Sequence, residues 1–168
     1  FTDRLSAGVA RTRFDQIVEL SGTYEIRTEK ESNWKLALRG GVEGKRNFHE
    51  EYSPFLQLAG SFDYRRVRLS VVPIMIFNTR SEALLKFNRS RAINPDSNHT
   101  FALGFGTDIA LNRRFSLTAE YVPRLAGFGG FDERRDHVAG GFVIRTWGHV
   151  FTILVASSRD FTPAKYGI

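Results

Sequence analysis

Four histidines, His49, His99, His137 and His149, are the side chains of this 168-residue chain best suited to proton transfer or metal binding. No two of them stand at a helical spacing that would place both on one face, and the chain has no cysteine to supply a thiolate ligand. His49-Glu50-Glu51 puts three ligating groups in a row, but neighbouring side chains on an extended backbone point to opposite faces and do not converge. Asp96, Ser97, His99 and His137 include the residue types of a hydrolase working at a barrel rim, a mixture that polar loops also produce by chance. Gly104-x-Gly106 lacks the third glycine of a dinucleotide loop and runs on into apolar alternation. The expectation is therefore no catalytic residue, no metal, no cofactor and no enzymatic activity.

Composition narrows the class further. The 24 Lys and Arg against 18 Asp and Glu give a net charge of +6, yet both signs run through the whole chain, so no nucleic-acid-binding patch is expected. A hydrophobic share of 42% is too high for a disordered chain. The longest apolar run, Val71 to Phe77, is far short of the roughly 18–20 residues of a transmembrane helix, so any crossing of a membrane must be made by strands. The chain starts at Phe1 with no apolar leader, which reads as a processed or partial chain.

The elements that must position the polar side chains are strands, because the hydrophobic period is 2 from end to end. Val18, Leu20, Gly22, Tyr24 and Ile26 alternate with Glu19, Ser21, Thr23 and Glu25. Trp34, Leu36, Leu38, Gly40 and Val42 alternate with Lys35, Ala37, Arg39, Gly41 and Glu43. The pattern repeats at Leu56–Tyr64, Phe101–Leu111 and Phe115–Tyr121. Turn lengths test the reading, since residues paired across a hairpin share a face and the apolar parity must flip across an even loop and persist across an odd one. Parity flips across Arg65-Arg66, persists across Asn112-Arg113-Arg114, and flips again around Trp147-Gly148.

Short turns near 28–33, 65–66, 112–114 and 146–149 alternate with longer polar links at 46–54, 78–98 and 124–136. Short links at one end and long at the other describe an all-β, antiparallel up-and-down transmembrane β-barrel with short periplasmic turns. Eight strands plus a weaker one at Leu5–Arg11 make nine, all in one domain over 1–168. The odd count leads to the expectation of missing N-terminal and C-terminal strands and 10–12 in the complete barrel. Pro73 removes a ladder hydrogen bond, so a bulge or a local break is expected there.

Two solvents fit such a meander: a membrane barrel turns its apolar face outward, whereas a soluble periplasmic lipocalin-like barrel turns it inward around an apolar ligand. Aromatic placement favours the membrane, with Tyr24, Trp34, Tyr64, Phe77, Phe115 and Tyr121 at strand ends as an interfacial girdle. The lumen would then carry both signs of charge on Glu19, Glu25, Lys35, Arg39, Glu43, Asp63, Arg68, Asp108, Glu120 and Arg145. Such an interior is either plugged by ion pairs or a narrow pore. In the long link, Arg80, Lys86, Phe87, Arg89 and Arg91 are candidates for contact with lipid headgroups or a partner protein.

The opening Phe1-Thr2-Asp3-Arg4-Leu5-Ser6-Ala7-Gly8-Val9 with Arg11 and Phe14-Asp15, the Leu20–Tyr24 strand, and the strand–turn–strand from Gly104 to Arg124 resemble an uncharacterised family of bacterial β-barrel proteins of outer-membrane type. The resemblance covers most of the chain in style rather than by a fingerprint. It implies further strands before the Phe-Thr-Asp-Arg-Leu start and a closing strand after Ile168, and it brings no activity. The combined expectation is a bacterial outer-membrane barrel acting as a structural scaffold or narrow passive channel. Its expected partners are membrane lipids and other membrane or periplasmic proteins of a larger complex.

Overall fold

The computed structural model describes residues 4–11, 16–26, 32–46, 48–78, 99–126 and 136–157. These form ten strands: β1 (Leu5–Arg11), β2 (Val18–Ile26), β3 (Trp34–Lys45), β4 (Glu50–Tyr64), β5 (Val67–Phe77), β6 (His99–Ala110), β7 (Phe115–Val122), β8 (Arg124–Ala126), β9 (His137–Thr146) and β10 (His149–Ala156). They make one antiparallel meander in the order β1-β2-β3-β4-β5-β6-β7-β9-β10, with β8 added to β6. The sheet is not closed, and β1 and β10 are its edges among the described residues.

Register follows the parity rule. Tyr64 pairs with Val67, Ile109 with Leu117, and Ile144 with Phe151, so each apolar set meets an apolar set across its turn. Two links are shorter than the sequence indicates. Glu50–Pro54 belongs to β4 and pairs with β3, which reduces the 46–54 link to a tight turn. Arg124–Ala126, expected as loop, hydrogen-bonds to the free stretch of β6 beyond the end of β7. The polar composition of Glu50–Pro54, and the flanking Pro123 and Gly127 around Arg124–Ala126, are overridden by unpaired backbone groups on the neighbouring strand.

Pro73 produces a break and no bulge. Between β4 and β5 the ladder is interrupted opposite Leu58 and Ala59 but resumes in the same register, Gln57 with Ile74 on one side and Gly60 with Val71 on the other. Pro73 stays paired with Leu103 of β6. The missing N–H costs one local bond without inserting a residue.

The two faces of the sheet differ as a membrane demands. Leu20 is 44% exposed while Glu19 beside it is 5% exposed, and the same contrast separates Leu56 from Gln57 and Leu117 from Ser116. In a protein folded in water the shielded side would be the apolar one. Here the apolar stripe faces out along every long strand and the polar stripe faces the concave side, which satisfies the lipid and keeps the polar groups among partners. A lipocalin-like barrel, with this stripe turned inward around a ligand, requires the opposite arrangement.

Candidate functional site

The concave face is the candidate site, and it is built in layers. At the end reached by the links 12–17, 46–49, 78–98 and 127–136, it is apolar: Phe55, Ile74, Ile76, Ala102 and Val122 form a buried cluster with Val72 against it. Phe55 pairs with Gly41 on β3, and the pairing is possible only because Gly41 has no side chain. A Cβ there would stand 2.5 Å from the Leu20 carbonyl oxygen and 2.7 Å from the Phe55 ring. Thr100 and His137 are buried at the same level.

The middle layer centres on Arg39. Its Nη2 lies 2.5 Å from Glu19 Oε1, its Nη1 donates to Gln57 Oε1 at 3.1 Å, and its guanidinium stands 5.4 Å from the Phe55 ring centroid. Glu19 and Glu43 are directly opposite in the β2–β3 register and both are buried. Like charges so placed repel, so the Arg39 contact offsets part of the cost of holding Glu19 there.

Toward the short turns the face becomes an ion-pair lattice. Arg68 engages Asp63 through two bonds, Nε to Oδ1 at 2.6 Å and Nη2 to Oδ2 at 3.2 Å, a planar fork-to-fork contact that a lysine cannot reproduce. Lys35 Nζ reaches the same carboxylate at 3.3 Å. Arg145 lies 3.8 Å from Asp108 and donates to Ser116 Oγ at 2.5 Å. A cavity of about 440 Å³ opens on this face, with Arg39 and Arg68 among its lining on β3 and β5 and Asp108 and Glu120 on β6 and β7.

All ten charged residues anticipated for the lumen lie on this face by register. The structure brings together Glu19 with Arg39, Lys35 and Arg68 with Asp63, and Asp108 with Arg145. Glu25 stands at the short-turn rim, and Glu120 on the cavity wall lies over Gly106. Gln57 and Ser116, the neutral members of the network, carry no charge to attract notice, although their parity places them on the polar face. Arg124 is also on this face, opposite Ala102, in a segment that reads as loop. The apolar cluster is the larger omission. Its signal was the run Val71–Phe77, apolar at both parities, which means that both faces of β5 are away from water.

On the convex face, Tyr24, Trp34, Tyr64 and Phe115 sit at the short-turn ends of their strands, and Phe77 and Tyr121 sit at the other ends. Phe62 stacks on Trp34 at 4.7 Å, and Tyr52 and Phe101 extend the far band. Val67 to Phe77 is the whole of β5, 11 residues, and at about 3.3 Å per step it runs about 33 Å; a tilt of about 40° makes that about 25 Å of membrane depth, the height of an apolar band in such barrels. The Tyr121 hydroxyl donates to Asp136 at 2.6 Å.

The histidines do not converge. His99 is edge-on to Phe77 on the convex face, at 5.4 Å, while His137 is buried on the concave face. His49 occupies the turn after β3, and His149 lies beside Phe151 at the opposite end of the sheet. Asp96, Ser97, Arg80, Lys86, Phe87, Arg89 and Arg91 lie outside the described residues.

No curated protein and no solved structure matches the chain. A family described as a membrane-bound β-barrel domain matches residues 1–167. With an apolar stripe facing outward on successive antiparallel strands and an ion-paired stripe facing in, the chain belongs to this family of membrane-bound β-barrel domains.

Proposed function

We propose that this membrane barrel is a non-catalytic structural scaffold of the bacterial outer membrane, with an interior filled by its own side chains. The observation that carries the reading is the apolar cluster on the concave face, where Phe55 and Ile74 are each 3% exposed and Ile76 is fully buried. The cluster lines the concave face of four adjacent strands, β4 to β7, with apolar side chains, and an apolar lining of this kind opposes the water column that a pore needs. The ion pairs below the cluster satisfy one another, so the charged groups work as cross-struts between strands. The two longest links, 78–98 and 127–136, both lie at one end of the strands, and the two-residue turns 65–66 and 147–148 lie at the other, an asymmetry that supports an outer-membrane setting. A larger complex with other membrane or periplasmic proteins fits a scaffold role.

Planar-bilayer recording on the refolded full chain tests this. The wild type should give no ohmic current steps, and Phe55→Ala with Ile76→Ala should open measurable ones. Stable conductance in the wild type would refute the filled interior. It would favour the second reading, a narrow passive channel, which the cavity between Arg39, Arg68, Asp108 and Glu120 supports.

A further inference from the structure

We propose that the short-turn rim of the barrel is a binding surface for the phosphate headgroups of anionic phospholipids, held by Arg65, Arg66, Arg113 and Arg114. Two groups of cations stand apart among the described residues. Lys35, Arg39, Arg68 and Arg145, on the concave face, each reach a carboxylate. Arg65, Arg66, Arg113 and Arg114, in the turns, are all exposed and make no ion pair among the described residues. The nearest carboxylates in sequence, Asp63 and Asp108, are engaged with Arg68 and Lys35 and with Arg145.

The four arginines form one patch because their turns are neighbours. The Ala110 amide donates to the Arg66 carbonyl at 2.7 Å, which sets the turn after β4 beside the turn after β6. The Arg145 amide donates to the Arg114 carbonyl at 2.7 Å, which joins the second turn to β9. Strands are about 4.8 Å apart, so the guanidinium groups share a surface the width of a few headgroups.

Their depth in the membrane is marked by aromatics. Tyr64 and Phe115 flank the two turns, and Trp34 and Trp147, the only two tryptophans in the chain, are both at this end and exposed. Rings of this kind settle at the headgroup level, which puts the arginines against lipid phosphates rather than in bulk water. Arg65 carries a further mark. Its φ is 54°, in the left-handed region where glycine or asparagine is relaxed, yet an arginine is kept there with its guanidinium 5.4 Å from the Tyr64 ring centroid. A guanidinium fork matches the geometry of a phosphate diester, and one held beside an interfacial ring is already oriented for it.

The two tryptophans report on this rim directly. The full chain is refolded into phosphatidylcholine vesicles in which an equal minor fraction is brominated phosphatidylcholine or brominated phosphatidylglycerol. Brominated phosphatidylglycerol should quench more strongly. Its relative association with the rim should exceed that of phosphatidylcholine by up to about fivefold for each arginine that reaches the surface, and the excess should shrink as salt is raised. R65Q/R66Q/R113Q/R114Q should abolish the excess while keeping the heat-dependent gel shift of a folded barrel. If that variant fails to fold, R65Q/R66Q and R113Q/R114Q made separately should each lose part of it.

Equal quenching by the two lipids in the wild type would overturn the proposal, as would an excess that survives the quadruple variant. Displacement of the excess by inorganic phosphate would assign the patch to free anions and also overturn it. So would an absent lipid excess together with a fluorescence change on adding polyglutamate, which would mark an acidic protein as the occupant.

Discussion

Replacing Arg39 with glutamine tests whether the interior is dry enough for its ion pairs to matter. The substitution keeps a polar side chain but withdraws the charge facing Glu19, whose side chain is 7% exposed. It also removes the donor to Gln57 and the cation beside the Phe55 ring. Deleting one partner of a buried pair costs about 3–5 kcal/mol, because the other charge is left uncompensated. The Arg39 side chain is 34% exposed and borders the cavity, so water reaches the vacated carboxylate from one side and the low end, about 3 kcal/mol, applies. Glu19→Gln leaves an arginine that can turn toward the cavity, and should cost about 1 kcal/mol. The double variant should cost about 2 kcal/mol rather than the sum, a coupling of about 2 kcal/mol between the two sites. Urea unfolding of vesicle-folded protein, followed by tryptophan fluorescence and heat-dependent gel mobility, gives all four corners of the cycle. Single-variant costs below about 0.5 kcal/mol with no coupling would show a solvated pair in a wet lumen, and the filled interior would fail with it.

Other substitutions probe separate parts of the structure. Phe55→Ala should cost about 3–4 kcal/mol in the same urea assay, since it leaves a void in the concave-face cluster. Gly41→Ala should destabilise by about 2 kcal/mol or more, whereas Gly40→Ala next to it should change stability by less than about 1 kcal/mol. A Cβ at Gly40 meets nothing closer than Leu56 Cδ1 at 3.6 Å, so equal effects at the two glycines would contradict the close approach of Phe55 to β3. Leu56→Arg, on the lipid-facing stripe near the middle of β4, should weaken membrane folding by about 2–4 kcal/mol, and Ser61→Arg on the concave stripe by far less; the reverse order would invert the faces. Arg65→Gly should stabilise the hairpin by about 1 kcal/mol by releasing the left-handed strain, read as a higher urea midpoint.

The fold was legible because its rule is short-range. Alternation identifies a strand from five or six residues, and parity across Arg65-Arg66 or Asn112–Arg114 fixes which neighbours share a face before any contact is known. The same arithmetic put Glu19, Arg39, Asp63, Arg68, Asp108 and Arg145 on one side. It left open which of them meet, because Arg39 reaches Glu19 on β2 as well as Gln57 on β4, and such choices depend on twist and side-chain reach rather than on parity. The cluster around Phe55 and Ile76 was masked by the assumption that one parity is apolar and the other polar, which holds for β2 and fails for β5. Segment 50–54 carries loop-like residues and Arg124–Ala126 is bounded by Pro123 and Gly127, yet both become strand because an adjacent strand offers unpaired backbone groups, a tertiary effect with no local signature.

The edges of the sheet give its seam a polarity. Every neighbouring pair along the nine-strand path is antiparallel, so β1 and β10 point the same way. A direct zip between them would be a parallel ladder, with evenly spaced, slanted hydrogen bonds that are slightly weaker per residue than the antiparallel bonds elsewhere in the sheet. An antiparallel seam instead needs an odd number of strands between them, the first and last reversed relative to β1 and β10. The direction of whatever meets Leu5–Arg11 and His149–Ala156 is thus dictated by strand parity alone, and the weakest line in the wall falls at the seam if the two edges meet directly.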